Sequence, residues 1–230
     1  MRPNVLVIGG GHSYYEPFSH FGRYTDDEEL LRSSPSSISL AILTGGADVS
    51  PELYNQRNHH SYPNPPRDAY EVANFNIAYK AGIPVVGICR GAQLLCVLAG
   101  GSLVQHLDGH SSSHDVVTAD SHRFQVSSLH HQIAYPWDIP ENEWELLAWS
   151  DEPIAKAYEY DGVRVLASAD TQMNIEPDVI YYHTRKALAA QFHPEFMSAK
   201  APARTWLNAV MDKYMVPHMV ERGHHLSRSA

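Results

Sequence analysis

Residues 84–101, PVVGICRGAQLLCVLAGG, constrain the fold of this chain more than any other stretch. Residues 84–88 are a short, unbroken apolar run, the pattern of a strand buried on both faces of a parallel sheet. Residues 90–98 read as a helix, stopped by Gly100-Gly101. Between strand and helix stands a single residue, Cys89. The same alternation recurs upstream. NVLVIG (4–9) reads as a buried strand, and ISLAIL (38–43) as a second, ending at Thr44-Gly45-Gly46. Residues 66–81, led by proline, read as a helix with an apolar stripe of Ala69, Val72, Ala73, Ile77 and Tyr79, closed by Gly82. Strands alternating with helices predict an α/β fold with a mainly parallel sheet flanked by helices.

Downstream the pattern is less regular. RFQVSSLHH, WELLAWS and IAKAYEY read as strands. Residues 178–183 and 187–192 read as a hairpin turning at Arg185-Lys186, and a last helix spans roughly 202–215. No repeat and no linker interrupts the chain. We therefore expect one domain over residues 1–216, followed by a polar, frayed tail over 217–230.

The 230 residues carry a net charge of −9, with no cluster of Lys and Arg. Nucleic-acid binders present basic faces, so direct DNA or RNA binding is not expected. No apolar run approaches the roughly 18–20 residues of a membrane span. The N-terminal residues enter a strand-like run without a signal-peptide pattern. The two cysteines, Cys89 and Cys96, are two helical turns apart, too far for a disulfide. A cytoplasmic setting is the expectation.

A cysteine at a strand-to-helix turn has three chemical advantages. The turn lifts its sulfur beyond the sheet edge. The flanking Gly87 and Gly91 permit a strained backbone and close approach. The helix N-terminus supplies positive potential that favours thiolate. Most free cysteines are simply buried, and Cys96 fits that reading. Cys89 does not, because its two glycines would then have no purpose. A cysteine nucleophile needs a base and a group to orient it. Residues 189–196, AAQFHPEF, supply both: a strand carries His193 to the sheet edge, and Glu195, at i+2 in an extended segment, faces the same way. His-Pro-Glu alone occurs by chance.

Together these pieces resemble a family. LTGGADVSPELY (43–54), RDAYE (67–71), GICRGAQLL (87–95), SSLHHQ (127–132) and QFHPE (191–195) occur in the order found in class I (triad) glutamine amidotransferases. More narrowly, they resemble the peptidase C26-like branch that cleaves γ-glutamyl-γ-aminobutyrate. The resemblance implies a three-layer, flavodoxin-like sandwich in a single domain. It implies Cys89 as nucleophile, His193 as base and Glu195 as third member. It places the oxyanion hole at the backbone N–H groups of Gly46 and Arg90. It assigns Gly45, Gln93, Ser128 and His131 to the substrate pocket. No metal or organic cofactor is implied. The substrate would be a small γ-glutamyl compound or glutamine, with a separate synthetase as possible partner in the second case. Two departures bear on substrate identity. Ser127 replaces the family's asparagine, and EPDVIYYHTRKALAAQ lacks the usual EAIE wording.

Other features have simpler readings. VIGGGH (7–12) lacks the third glycine of a dinucleotide loop, where Tyr14 stands, and is read as a strand-end turn. His106, His110 and His114 are spaced by four, but Gly109 and the serine run break any helix that would align them, so no metal site is expected. His224-His225 is read as solvated. Residues 10–24 and 52–67, with Arg23, Arg57, His59, His60 and Arg67, are expected to wall an open groove on the leaving-group side. The plainer alternative is an exposed polar loop. A non-catalytic binding module on the same fold is the reading from a different class, against which the intact Cys89, His193 and Glu195 argue.

Overall fold

The computed structural model describes residues 2–168 and 171–224. Its centre is a nine-stranded sheet, whose strands we number along the chain. They are β1 (Asn4–Ile8), β2 (Arg23–Thr25), β3 (Ile38–Leu43), β4 (Val85–Ile88), β5 (His114–Thr118), β6 (Arg123–Val126), β7 (Trp144–Ser150), β8 (Pro177–Tyr182) and β9 (Ala187–Ala190). Their spatial order is β2-β1-β3-β4-β9-β8-β7-β5-β6. The strands from β2 to β9 run parallel; β8, β7, β5 and β6 extend the sheet antiparallel. Two small sheets lie beside it, one of Ser102–Val104 with Ile133–Tyr135, the other of His106–Leu107, Ala157–Tyr160 and Val163–Leu166.

The apolar runs of the parallel strands are continuous because both faces are covered. Along β1, Val5 and Val7 join one core while Leu6 and Ile8 join the other. In β3, Leu40 and Ile42 alternate with Ala41 and Leu43 in the same way. One face packs helix Pro202–Tyr214 through Trp206, Leu207, Val210 and Met211. The other packs helices Pro65–Lys80 (α1) and Arg90–Ala99 (α2) through Phe75, Ala78, Leu94 and Leu95. This is the expected three-layer sandwich.

Several boundaries differ from expectation. The strand expected over 123–131 stops at Val126, and that over 187–192 stops at Ala190. The strand at IAKAYEY begins only at Ala157. The expected stripe of α1 holds only at Val72 and Ile77, which are half-buried against the core. Ala69, Ala73 and Tyr79 are exposed, and the buried face consists of Asp68, Glu71, Asn74, Phe75 and Ala78. The chain also does not fray at once after 216. Val216–Glu221 is a short helix, and its Met219 is fully buried in the core. His224, read as solvated, is buried, with its ring Nε2 3.0 Å from the Ile38 carbonyl oxygen; His225 lies outside the described residues. Among the described residues no helix is long and apolar enough to cross a membrane.

Candidate active site

Three parallel neighbours, β3, β4 and β9, end at the same edge of the sheet, the position where open α/β sheets bind their ligands. The residues that leave them are Thr44-Gly45-Gly46, Cys89 and, three residues past Ala190, His193. The Cys89 backbone N–H donates to Ala190 O at 2.8 Å, which fixes the cysteine beside the segment that carries the histidine.

Cys89 occupies a strained backbone position, φ 52° and ψ −108°, at the N-cap of α2. Few non-glycine residues adopt such a conformation, and those that do concentrate at functional sites. The flanking glycines serve the packing of this elbow. A Cβ at Gly87 would strike the Gly91 carbonyl, and one at Gly91 would strike the Leu43 carbonyl. Strand, elbow and helix can therefore sit against β3 only with glycine at both places. Cys89 is 7% exposed and unpaired. Cys96 is fully buried and its thiol is pushed up to about 12 by burial, as its structural reading requires.

His193 is 6% exposed, and its Nδ1 lies 2.7 Å from Glu195 Oε1. The pairing was expected, but its geometry differs from the extended i, i+2 argument. The strand has already ended, and Pro194–Phe196 forms a 3₁₀ turn that folds Glu195 back onto the imidazole. Ser127 clamps the histidine backbone: its hydroxyl donates to His193 O and accepts from His193 N–H, both at 3.0 Å. Phe196 stacks on the ring at a centroid distance of 4.8 Å. Burial pulls the His193 pKa down, but hydrogen bonds to Cys89 and Glu195 and their charges outweigh it, raising the value to about 10. The raised value favours an imidazolium beside the Cys89 sulfur.

Gly45 closes the cluster. A Cβ there would stand 3.0 Å from His193 Cε1, 3.6 Å from Cys89 Cβ and 2.8 Å from the Tyr14 hydroxyl oxygen. The loop is held from behind by a buried charge network. Arg67 donates to Gly45 O at 2.8 Å, Thr44 Oγ1 at 3.0 Å and Glu71 Oε1 at 2.8 Å. The Arg90 side chain, 1% exposed, pairs with Asp68 and Glu71. Asp68 in turn accepts from the Ser50 backbone N–H at 3.1 Å. Arg67 was expected on the groove wall and is instead a strut of the Gly45-Gly46 loop. Nothing in local sequence marks Asp68, Glu71 or Arg67 as a set, although the RDAYE segment contains all three. Arg90 contributes its side chain to this network and its backbone N–H, at the start of α2, to the site edge.

The remaining expected pocket residues are less uniform. Gln93 is buried, and its amide donates to Gln132 O at 2.9 Å and Gln191 Oε1 at 3.2 Å. Ser128 is buried, and its hydroxyl donates to His110 O at 2.9 Å. His131 reaches Asp48, two residues after Gly46, with Nε2 at 3.1 Å. It also lines an open cleft of about 440 Å³ with His59, His60, Ser61, Tyr62 and His106. Buried Gln105 shapes that wall by accepting from His59 N–H at 3.0 Å and donating to Arg57 O at 2.8 Å. Of the five residues expected to wall a leaving-side groove, His59 and His60 line this cleft, whose lining includes none of Cys89, His193 and Glu195. Arg23 lies on the edge strand β2, paired with Asn4. His110 and His114 are drawn to Glu176 and Asp178, at 2.9 and 3.0 Å. Among the described residues no group of His, Cys, Asp and Glu has the geometry to hold a metal ion.

A protein-family model described as Peptidase C26 matches residues 23–195. A Mycobacterium tuberculosis protein named as a glutamine amidotransferase is 32% identical over 179 residues, covering 74% of this chain and 54% of that protein, so the chain spans about half of that relative's length. The gamma-glutamyl-gamma-aminobutyrate hydrolase of Escherichia coli O157:H7 is 39% identical over 111 residues, 45% of this chain and 39% of that one. Among solved structures, a glutamine amidotransferase of Thermotoga maritima superposes with a TM-score of 0.56 at 19% identity, covering 97% of this chain and 93% of that chain. That likeness concerns the fold.

Proposed function

Since the chain belongs to the peptidase C26 family, within the class I glutamine amidotransferases, we propose that it hydrolyses a γ-glutamyl amide through a thioester on Cys89. The observation that carries the reading is the convergence of a strained Cys89 with a His193 held by Glu195 at 2.7 Å, at the edge where three parallel strands end. The Cys89 thiolate attacks the γ-carbonyl carbon. The backbone N–H groups of Gly46 and Arg90 receive the oxyanion, an arrangement whose loss typically costs about 3–4 kcal/mol per donor. As the C–N bond breaks, His193 gives its proton to the leaving nitrogen. His193 then takes a proton from water, which attacks the thioester, and collapse of the intermediate releases glutamate and returns Cys89 as thiolate beside protonated His193. Glu195 keeps the imidazole oriented and stabilises its charged form. Substrate and water supply every atom.

On the leaving side we favour a γ-glutamylated amine over glutamine. The cleft at His59, His60, His106 and His131, tied to the Gly45-Gly46 loop through the contact of His131 with Asp48, would give a leaving amine room that ammonia does not need. The second reading is a glutaminase subunit that passes ammonia to a separate synthetase; the amidotransferase names among its relatives favour it. Free Cys89 and Cys96 suit a reducing, cytoplasmic setting for either. The test is glutamate release by the purified protein alone, comparing kcat/KM for glutamine with a panel of γ-glutamyl amines. The proposal expects an amine to be the best substrate. Glutamine as best substrate, or cleavage only after a second protein is added, supports the amidotransferase reading. No glutamate from any γ-glutamyl compound overturns both.

A further inference from the structure

The turn after β1 brings Tyr14 to the catalytic centre, and neither the triad nor the oxyanion hole uses it. His12–Tyr14 is a 3₁₀ turn packed against the 3₁₀ turn Pro194–Phe196 that carries Glu195. The Tyr14 hydroxyl, His193 Cε1 and Cys89 Cβ lie 2.8, 3.0 and 3.6 Å from a single point, the empty place of the Gly45 side chain. The missing Cβ is what lets the phenol in. A phenol hydroxyl carries one proton to donate. The ionisable groups close to the phenol are Glu195 and Cys89, with Arg67 as the opposing cation. Arg90 is neutralised by Asp68 and Glu71 on the far side of the loop. Burial, then Glu195, then Cys89 raise the Tyr14 pKa above its ordinary value, so the phenol keeps its proton across the working range.

We propose that Tyr14 is a catalytic residue whose hydroxyl donates a hydrogen bond to the Cys89 thiolate and follows that charge onto the γ-carbonyl oxygen during attack, adding a side-chain donor to the two backbone donors. The proposal rests on the hydrolase reading for its natural substrate but not for its test. The donor comes from the stretch GGGHSYY, in the turn after β1, and not from the loops that carry the triad.

Two measurements on Tyr14→Phe decide it. The first is the pH profile of Cys89 alkylation by iodoacetamide, which needs no substrate. Losing a charge-assisted hydrogen bond to thiolate moves the acid-side midpoint up by about one pH unit. The second is the rate of Cys89 acylation by p-nitrophenyl acetate, a generic acyl donor, which falls about tenfold to a hundredfold as a donor to the oxyanion is lost. With a γ-glutamyl amine, kcat falls by the same factor while KM changes less than twofold. An unmoved acid-side midpoint together with unchanged acylation overturns the proposal. A shift confined to the alkaline side, which reports His193, also overturns it, because the donor would then serve Glu195. If the wild-type protein acylates from the acetate ester but cleaves no γ-glutamyl amide, the substrate reading fails and the Tyr14 comparison is still scored. A Tm within about 2 °C of wild type separates these effects from unfolding.

Discussion

Gly45→Ala is a substitution that acts on the reaction far more than on the fold. Gly45 is buried and its φ is not in the left-handed region, so alanine meets no backbone penalty there. The added methyl would stand 2.8 Å from the Tyr14 hydroxyl and 3.0 Å from His193 Cε1, against an ordinary contact of 3.4 Å or more. Both neighbours must retreat by a few tenths of an ångström. Tyr14 sits half-buried on a short turn and can move. His193 cannot move freely: Ser127 holds its backbone, Glu195 its Nδ1 and Phe196 its ring face. The 3.0 Å contact is relieved by tilting the ring about these anchors, which alters the distance between imidazole and sulfur. A misplacement of about 1 Å costs on the order of a hundredfold, so a smaller one predicts a loss of about tenfold to a hundredfold in kcat. Overpacking costs about 1–3 kcal/mol, and the half-buried Tyr14 places this site at the low end, equal to about 2–4 °C in Tm for a chain of this size. Steady-state glutamate release with the best γ-glutamyl amine, read beside a thermal melt, tests the argument. Wild-type kcat in a folded Gly45→Ala protein would refute it. So would a failure of Gly45→Ala/Tyr14→Phe, which removes the 2.8 Å clash, to recover any rate over Gly45→Ala/Tyr14→Trp.

Cys89→Ala is expected to abolish turnover and acyl-adduct formation by mass spectrometry, while Cys96→Ala keeps most activity; a labelled Cys96 with an unlabelled Cys89 would reverse the assignment. Glu195→Gln removes a hydrogen-bonded charge that holds the His193 pKa up, so the alkaline limb of kcat/KM should move down by about one to two pH units and the rate by less than in Cys89→Ala. The sign also fixes stability. The folded value of about 10 lies above the unfolded 6.5, so His193 contributes stability in full below about pH 6.5 and loses it as pH rises through 10. Glu195→Gln should therefore destabilise at pH 6 and have a vanishing effect near pH 11, as equilibrium denaturation would show. Arg90→Met leaves Asp68 and Glu71 buried with only Arg67 to neutralise them, and is expected to cost about 3–5 kcal/mol, whereas the backbone N–H at position 90 remains in place. A denaturation midpoint equal to wild type would show that the network contributes nothing.

Several features of this chain are determined by sequence alone. The parallel strands are legible because burial on both faces demands unbroken apolar runs, and β1, β3 and β4 have them. Cys89 is legible because a cysteine between Gly87 and Gly91 has no packing reason to be there. The glycines' own role became clear only when their near contacts with the Gly91 and Leu43 carbonyls were visible. The partner pair His193 and Glu195 was legible too, although a 3₁₀ turn, not an extended strand, brings the carboxylate round.

What tertiary structure alone decided begins at α1. An apolar stripe cannot reveal a helix that turns Asp68 and Glu71 inward, because those carboxylates are buried to meet Arg90 and Arg67, residues reached through other elements. The histidines illustrate the same limit. His110 and His114 are bound to Glu176 and Asp178, more than sixty positions away, while His59, His60, His106 and His131 meet across one cleft. Tyr14 reads locally as a failed dinucleotide loop, and becomes part of the site only because Gly45, on another strand's end, has no side chain. Local sequence fixes periodicity and turn chemistry, which depend on neighbours along the chain. Buried charge pairs and shared empty space depend on neighbours across it, and those positions exist only once the strands are placed in order.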